Sequence, residues 1–267
     1  VRCRILVVGS VGGGTRVSRF ANDGALDRGF RRARLEGAFD FKGAELSAIA
    51  AGPGKRITLA GDNGDQALVM RLLRSGEVDS RFGEGGARTY FGSSKLPRTE
   101  RLSSSGSAIA FDRNGRVLVA GTRDVRRPRS SGSSERIVNN FFVLRVNGHG
   151  DPDRRFGDRG AATFNFGCSR APSVCFSEAR SMQTDGRGRI VVGGAVGVGG
   201  ANALLGLARL TRNGALDESF SRAGRLTSDF GPRPSFFRSA LDSAGRVVAS
   251  ASADDPLRGL TLARFIP

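Results

Sequence analysis

Four stretches of the chain carry arginine, glycine, aspartate and phenylalanine in one order: RFANDGALDRGF (19–30), RLLRSGEVDSRF (71–82), RVNGHGDPDRRF (145–156) and RLTRNGALDESF (209–220). In each, the carboxylate lies eight residues after the arginine, pairing Arg19 with Asp27, Arg71 with Asp79, Arg145 with Asp153 and Arg209 with Asp217. A ring follows at Phe30, Phe82, Phe156 and Phe220. A guanidinium facing a carboxylate makes charge-assisted, bidentate hydrogen bonds, which can orient a substrate anion or fasten two pieces of backbone. Catalysis needs such a pair once, whereas this one recurs in every complete copy, so the spacing predicts a structural ion pair. Each arginine sits in an apolar strand, where an unpaired charge is costly, and the phenylalanine is expected to plug the gap between neighbouring units. On this reading Asp217→Ala costs about 3–5 kcal/mol if the pair is buried.

Other chemistry-bearing patterns are weaker. GPGKR (52–56) lacks the Ser or Thr that follows the lysine of a phosphate-binding loop. GGAVGVGG (193–200) has the glycines of a cofactor loop but follows a strand with no helix after it, and reads as a wide hairpin. His149, the only histidine, lies in the NGHGD turn with no Ser or Cys constellation beside it. Asp254 and Asp255, before Pro256, offer a lone acidic pair that reads as a turn more readily than as a calcium site. Cys168 and Cys175 close the short loop CSRAPSVC and read as a disulfide in an extracytoplasmic protein. Two thiols and one histidine are too few for a four-coordinate zinc site. No cofactor is expected, and with no Trp and only Tyr90 the chain is poorly equipped to stack sugar rings.

The formal charge is +17, from 42 basic and 25 acidic side chains, and only three of the basic ones are lysines (Lys42, Lys55, Lys95). Arginines scattered along every unit predict a solvated basic surface, with nucleic acid not expected as a partner. The concentrated stretch is GTRDVRRPRSSGSSERIVNN (121–140), with Arg123, Arg126, Arg127, Arg129 and Arg136 among serines. It is expected to be a stretched loop, either solvated or gripping phosphate or sulfate groups. GSSKLPRTERLSSSG (92–106) and the cysteine loop (167–177) are further insertions, expected on one face as a candidate binding rim.

The elements that position these residues follow from the repeat. Aligned on Arg19, Arg71, Arg145, Arg209 and Arg264, the mean step is about 61 residues. Each unit holds four strands, a to d: a small mixed one such as LSAIAA (46–51), a glycine-bearing tight turn, an apolar one such as RVLVAG, the arginine strand such as FFVLRVN (141–147), and a short one such as AATFNFG (161–167). Strands b and c are apolar at successive positions, so both faces of the sheet must be covered. The expected fold is an all-β single domain, 1–267, a β-propeller of about five four-stranded antiparallel blades with the first and last incomplete. The units run approximately 1–44, 45–92, 106–167, 177–231 and 235–267, with about eighteen strands in total. No apolar run approaches the ~18–20 residues that span a bilayer.

LARLTRNGALDESF (207–220), SDFG (228–231) and SALDSAGRVVAS (239–250) together resemble the delta-60 repeat family, and the likeness extends through five copies over essentially the whole chain. The chain departs from the pattern where Arg31 and Ser221 replace the glycine after the phenylalanine. The resemblance implies a propeller-like fold in large bacterial proteins, often exported or at the cell surface, and implies no catalytic residues. The expected function is therefore a non-catalytic interaction or structural scaffold in an exported bacterial protein, binding an unknown protein or an anionic polymer. Two alternatives stay open: a hydrolase or lyase with its site at the axial channel, and a polyanion-binding module using the loop arginines.

Overall fold

A computed structural model describes residues 4–11, 14–30, 44–92, 101–128, 135–167, 174–198, 203–229, 234–253 and 260–265. Blade 1 is a two-stranded antiparallel sheet of β1 (Arg4–Val11) and β2 (Gly14–Ala21). Blade 2 is four-stranded, from β3 (Glu45–Ala51) through β4 (Ile57–Asp62) and β5 (Ala67–Leu72) to β6 (Ala87–Tyr90). Blade 3 runs from β7 (Arg101–Phe111) through β8 (Val117–Pro128) and β9 (Glu135–Val146) to β10 (Ala161–Phe164). Blade 4 holds β11 (Val174–Thr184), β12 (Ile190–Val198), β13 (Leu204–Leu210) and β14 (Arg225–Ser228). Blade 5 has three strands, β15 (Pro234–Leu241), β16 (Val247–Ala253) and β17 (Leu260–Phe265). Within each blade sequential strands pair antiparallel, and the third strand expected in the first unit, its strand d, is not among the described residues.

Successive apolar positions in strands b and c have the predicted consequence. Every residue of Ala67–Leu72 and of Phe141–Val146 is buried, because each sheet is covered on both faces by its neighbours. The apolar clusters accordingly lie between blades. Val17 and Phe30 meet Leu59 and Leu68, Val69 and Phe82 meet Val119 and Phe142, and Phe141 and Phe156 meet Ile190 and Val192. Leu205, Leu207 and Phe220 meet Val247 and Ala249. Successive a strands (β3, β7, β11, β15) also pack on one another in turn, which puts them at the hub and the d strands at the rim. Among the described residues no strand of blade 1 packs extensively on a strand of blade 5.

The 121–140 stretch differs from expectation. Its described parts, 121–128 and 135–140, continue the blade: β8 and β9 stay paired out to Pro128 and Glu135, so the backbone polar groups there are met by a ladder instead of by water. Residues 101–106 of the 92–106 insertion are likewise strand, within β7. The lengthened β9 reaches across to blade 4, where Ile137 and Val138 pair in parallel with Val174 and Cys175, so blades 3 and 4 share one eight-stranded sheet.

The glycine that closes strand b has a tertiary cause. In blades 2, 3 and 4 strand a carries a bulge at Ser47, Ser107 and Arg180, and the carbonyl two residues before it presses on strand b. A Cβ at Gly61, Gly121 or Gly194 would lie 1.8, 2.0 or 1.9 Å from the carbonyl oxygen of Glu45, Ser105 or Glu178. Blade 5 has Ala251 at this position, and its bulge falls farther along, between Pro234 and Phe236. Gly9, whose strand has no described a-strand neighbour in its own sheet, has nothing within 4 Å of its missing Cβ among the described residues. Gly121→Ala is therefore expected to destabilise by about 1–3 kcal/mol, and Gly9→Ala by less than about 0.5 kcal/mol, as read from urea unfolding of the two variants.

Candidate functional site

The four arginines form equivalent nodes. The turn after strand c returns so that the Asp amide donates to the carbonyl of the arginine, at 2.8–2.9 Å in each blade, which fixes the eight-residue interval. Arg Nε donates to Asp Oδ2 at 2.9 Å (Arg19–Asp27), 2.9 Å (Arg71–Asp79), 3.0 Å (Arg145–Asp153) and 2.7 Å (Arg209–Asp217). The guanidinium carbons stand 4.6–4.8 Å from the ring centres of Phe30, Phe82, Phe156 and Phe220, so each cation also rests on a π face.

The same guanidinium leaves its own blade. Arg19 Nη1 donates to the carbonyl of Arg74 at 2.5 Å, Arg71 Nη1 to that of Gly148 at 2.5 Å, and Arg145 Nη1 to that of Arg212 at 2.7 Å. Each acceptor lies at the same place in the c–d turn of the next blade. Two further bonds run alongside, from Gly83 to the carbonyl of His149 and from Gly157 to that of Asn213, both 2.8 Å. The phenylalanine fills the remaining gap: a Cβ at Gly150 would sit 3.2 Å from the Phe82 ring, and one at Gly214 3.0 Å from Phe156. Arg209 has no following c–d turn among the described residues, and its Nη2 donates to Ser219 Oγ at 3.0 Å.

Each node holds a second arginine that the repeat reading passed over. Arg4 approaches Asp27 at 3.3 Å, Arg56 approaches Asp79 at 3.2 Å, and Arg116 Nη1 donates to Asp153 at 2.6 Å. Arg189 lies 3.7 Å from Asp217. All four open strand b two residues before the partner of the strand-c arginine, so the two-residue period puts both guanidinium groups on one face. Two of them, and Arg246 at the same place in blade 5, also clamp the a–b turn, as Arg116–Asp112, Arg189–Asp185 and Arg246–Asp242 at 2.6–2.7 Å. The signal was present as the constant Arg that ends each tight turn.

Burial opposes the charge of Asp79, Asp153 and Asp27, but hydrogen bonds and the surrounding guanidinium groups outweigh it and hold all three below the ordinary carboxylate range. Asp217 is held down chiefly by the hydrogen bond from Ser219, with Arg209 adding to it.

Between blades 3 and 4 the turn side opens into a crevice of about 310 Å³, with Arg116, Arg145 and Asp112 in its floor and Arg113, Arg187 and Arg212 around it. The last three are exposed and hold no side-chain hydrogen bond or ion pair among the described residues. They come from three different turns. At the 2–3 junction the position of Arg113 is taken by Pro53, which packs where a Cβ of Gly115 would be, 2.8 Å away; at the 3–4 junction Gly188 meets nothing nearer than 3.7 Å. The crevice is thus a departure from the repeat.

The expected anion loop is divided. Arg123 turns inward over Phe91, Arg126 is exposed in the lengthened hairpin, the side chains of Arg127 and Arg136 and the whole of Arg129 lie outside the described residues. Cys168 lies outside them too, as do Asp254 and Asp255, so only the strand position of Cys175 is described. Gly193–Val198 form the end of β12, which pairs antiparallel with β13 as a hairpin does, while Gly199 and Gly200 lie outside the described residues, and His149 contributes its carbonyl to a blade junction. At the hub, bulge residues Ser47 and Ser107 donate to the carbonyls of Gly106 and Ala179 of the next blade. Arg180, at the same place in blade 4, pairs with Glu178. Among the described residues no three His, Cys, Asp or Glu side chains converge as a metal site would require.

Sheets of this connectivity, packed face to face around converging a strands, define a β-propeller built of repeats. A family model described as "Domain of unknown function (DUF5122) beta-propeller" matches residues 188–220, which contain the whole Arg189, Arg209, Asp217 and Phe220 node. No curated protein matches the chain. Among solved structures, a catalytically inactive variant of virginiamycin B lyase from Staphylococcus aureus with quinupristin is 10% identical, with a TM-score of 0.46, over 100% of this chain and 75% of that one. Domains 1–2 of the extracellular part of Drosophila semaphorin 1b are 9% identical, with a TM-score of 0.35, over 98% of this chain and 77% of that one. The fold assignment rests on the sheets and on the family model.

Because the node carboxyls are depressed below the ~3.9 of a free Asp, their contribution to stability is complete above that pH and is lost as pH falls through the lowered folded-state values. The urea midpoint is expected to stay level from about pH 8 to pH 5 and to collapse below about pH 4, with more than one proton taken up on unfolding. A midpoint unchanged at pH 3 contradicts the charged state assigned to the nodes.

Proposed function

We propose that the chain is a non-catalytic interaction scaffold, one propeller of an exported bacterial repeat protein. The observation that carries it is the outward reach of the nodes: Arg19, Arg71 and Arg145 each spend one arm on their own carboxylate and another on the next blade's main chain. Groups so engaged on both sides hold blades in position and are not available to bind and release a substrate. The extracytoplasmic placement draws on the likeness to delta-60 repeats and on the spacing of Cys168 and Cys175. The scaffold reading is tested by a double-mutant cycle of Arg209→Met and Asp217→Asn in urea unfolding. A favourable coupling of about 0.5–3 kcal/mol is expected for a fastening pair, and a coupling near zero removes the structural role.

A second reading, recognition of anionic polymers, is favoured by the crevice between blades 3 and 4. Three unpaired guanidinium groups from separate turns converge there above two that are already engaged, a donor array suited to phosphate or sulfate oxygens. This moves the anion site from the 121–140 stretch to the turn face. Titration with inorganic tripolyphosphate by calorimetry is expected to lose roughly tenfold in affinity, about 1.4 kcal/mol, when Arg113, Arg187 and Arg212 are all changed to Gln. A charge-matched variant with Arg126, Arg154 and Arg155 changed to Gln is expected to bind nearly as the parent does. Equal losses in the two variants mean diffuse attraction to a basic surface, and sink the site.

A further inference from the structure

Arg123 is not used by the nodes or by the turn-face crevice. It stands on β8, on the face of blade 3 that meets blade 2, and its guanidinium lies 5.3 Å from the centre of the Phe91 ring. Its Nε is buried with no hydrogen-bond partner among the described residues. A desolvated, half-satisfied guanidinium is costly in a folded chain, and burial already pushes its pKa down from the usual value.

What surrounds Arg123 is a cleft of about 470 Å³ between the outer strands of blades 2 and 3, within the size range of small-molecule sites. Tyr90, Phe91, Leu144 and Ala161 give it apolar walls, Arg159 adds a second cation beside the one carboxylate, exposed Asp158, and Thr163 stands exposed at its edge. Two of the wall residues hold left-handed backbone conformations without being glycine, Phe91 at φ 65° and Arg159 at φ 51°. The turn of Arg159 takes this conformation in the other blades too, at Gly85 with φ 64° and at Ala223 with φ 52°, so Phe91 is the departure from the repeat. A left-handed phenylalanine is a real outlier, and such residues concentrate at ligand sites where surrounding contacts enforce them. Here the ring is held between Phe142, whose centroid is 4.7 Å away, and Arg123. Tyr90 is fixed as well, its hydroxyl donating to the carbonyl of Gly150 at 2.7 Å.

We propose that this cleft binds a small organic carboxylate with an apolar body, its carboxylate received by Arg123 and Arg159 and its body laid against Phe91 and Tyr90. A bare phosphate leaves the apolar walls unused, and a neutral hydrocarbon leaves the guanidinium unsatisfied. A carboxylate on an apolar body meets both demands, since guanidinium and carboxylate match in bidentate geometry. The proposal is independent of the tripolyphosphate site, which lies at another blade junction and on other residues.

The chain has no Trp and a single Tyr, so its tyrosine emission reports on this cleft alone. Hexanoate and cyclohexanecarboxylate are expected to change Tyr90 emission saturably and to raise the melting temperature of the full chain. 1-Hexanol and inorganic phosphate are expected to bind at least tenfold more weakly. Arg123→Met should lose at least tenfold in affinity for both carboxylates while melting, without ligand, no lower than the parent, because it removes a half-buried cation whose Nε has no partner among the described residues. Thr163→Phe, a change at an exposed position, should block the cleft with Arg123 intact. Three results overturn the proposal: no saturable response to either carboxylate; phosphate binding as tightly as hexanoate; or an Arg123→Met variant that keeps its affinity or melts several degrees lower, which makes Arg123 a packing residue.

Discussion

A guanidinium inside an apolar strand is the constraint from which the rest of the molecule follows. Arg71, Arg145 and Arg209 are buried near the end of strand c, one residue before its last, with covered residues before and after them. A cation there must be met from all sides or not be there at all. The carboxylate arrives from the returning turn, the π face from the phenylalanine three residues on, the second arginine from strand b, and the last acceptor from the neighbouring blade. Because that acceptor belongs to another blade, satisfying the charge and setting the angle between blades become one requirement. Apolar packing between sheets is non-directional, and it does not by itself select one rotation; the hydrogen bonds from Nη1 do.

A second set of contacts does the same work at the hub. Bulges in strand a present Ser47 and Ser107 to the next blade, and the glycines at the end of strand b make room for the displaced carbonyls. In blade 4 the bulge residue is Arg180, which turns to Glu178, and the connection to blade 5 is made instead by Ser181 and Ser239, whose hydroxyls meet at 2.7 Å. At the 2–3 and 3–4 junctions turn side and hub thus close with different chemistry, charge at the turns and small hydroxyls at the axis.

The departures from the repeat are where the surface acquires character. Pro53 fills one junction and Arg113 leaves the next one open. The lengthened β8–β9 hairpin carries Arg123 inward and at the same time hooks blade 3 to blade 4 through a short parallel ladder. Neither feature strengthens the fastening that the repeated residues already provide. Both create concave surface with cationic groups that the fold leaves unanswered, in a molecule whose repeated charges are almost all answered.

The sequence by itself determined what lies within a blade. Strand order, the burial of both faces, the Arg–Asp interval of eight and the ring after it were legible because they depend on the two-residue period of a strand and on one short turn. The unexpected strand status of 121–128 and 135–140 was hidden by composition: serines and arginines read as loop, while the ladder that holds them depends on backbone groups that composition does not describe. What only the tertiary structure decided lies between blades. The acceptors of Arg19, Arg71 and Arg145 are 55 to 77 residues away, the crevice of Arg113, Arg187 and Arg212 is assembled from three turns, and Phe91 meets Arg123 across a junction. Those meetings are set by how far one rigid sheet is rotated against the next, a quantity no local spacing encodes.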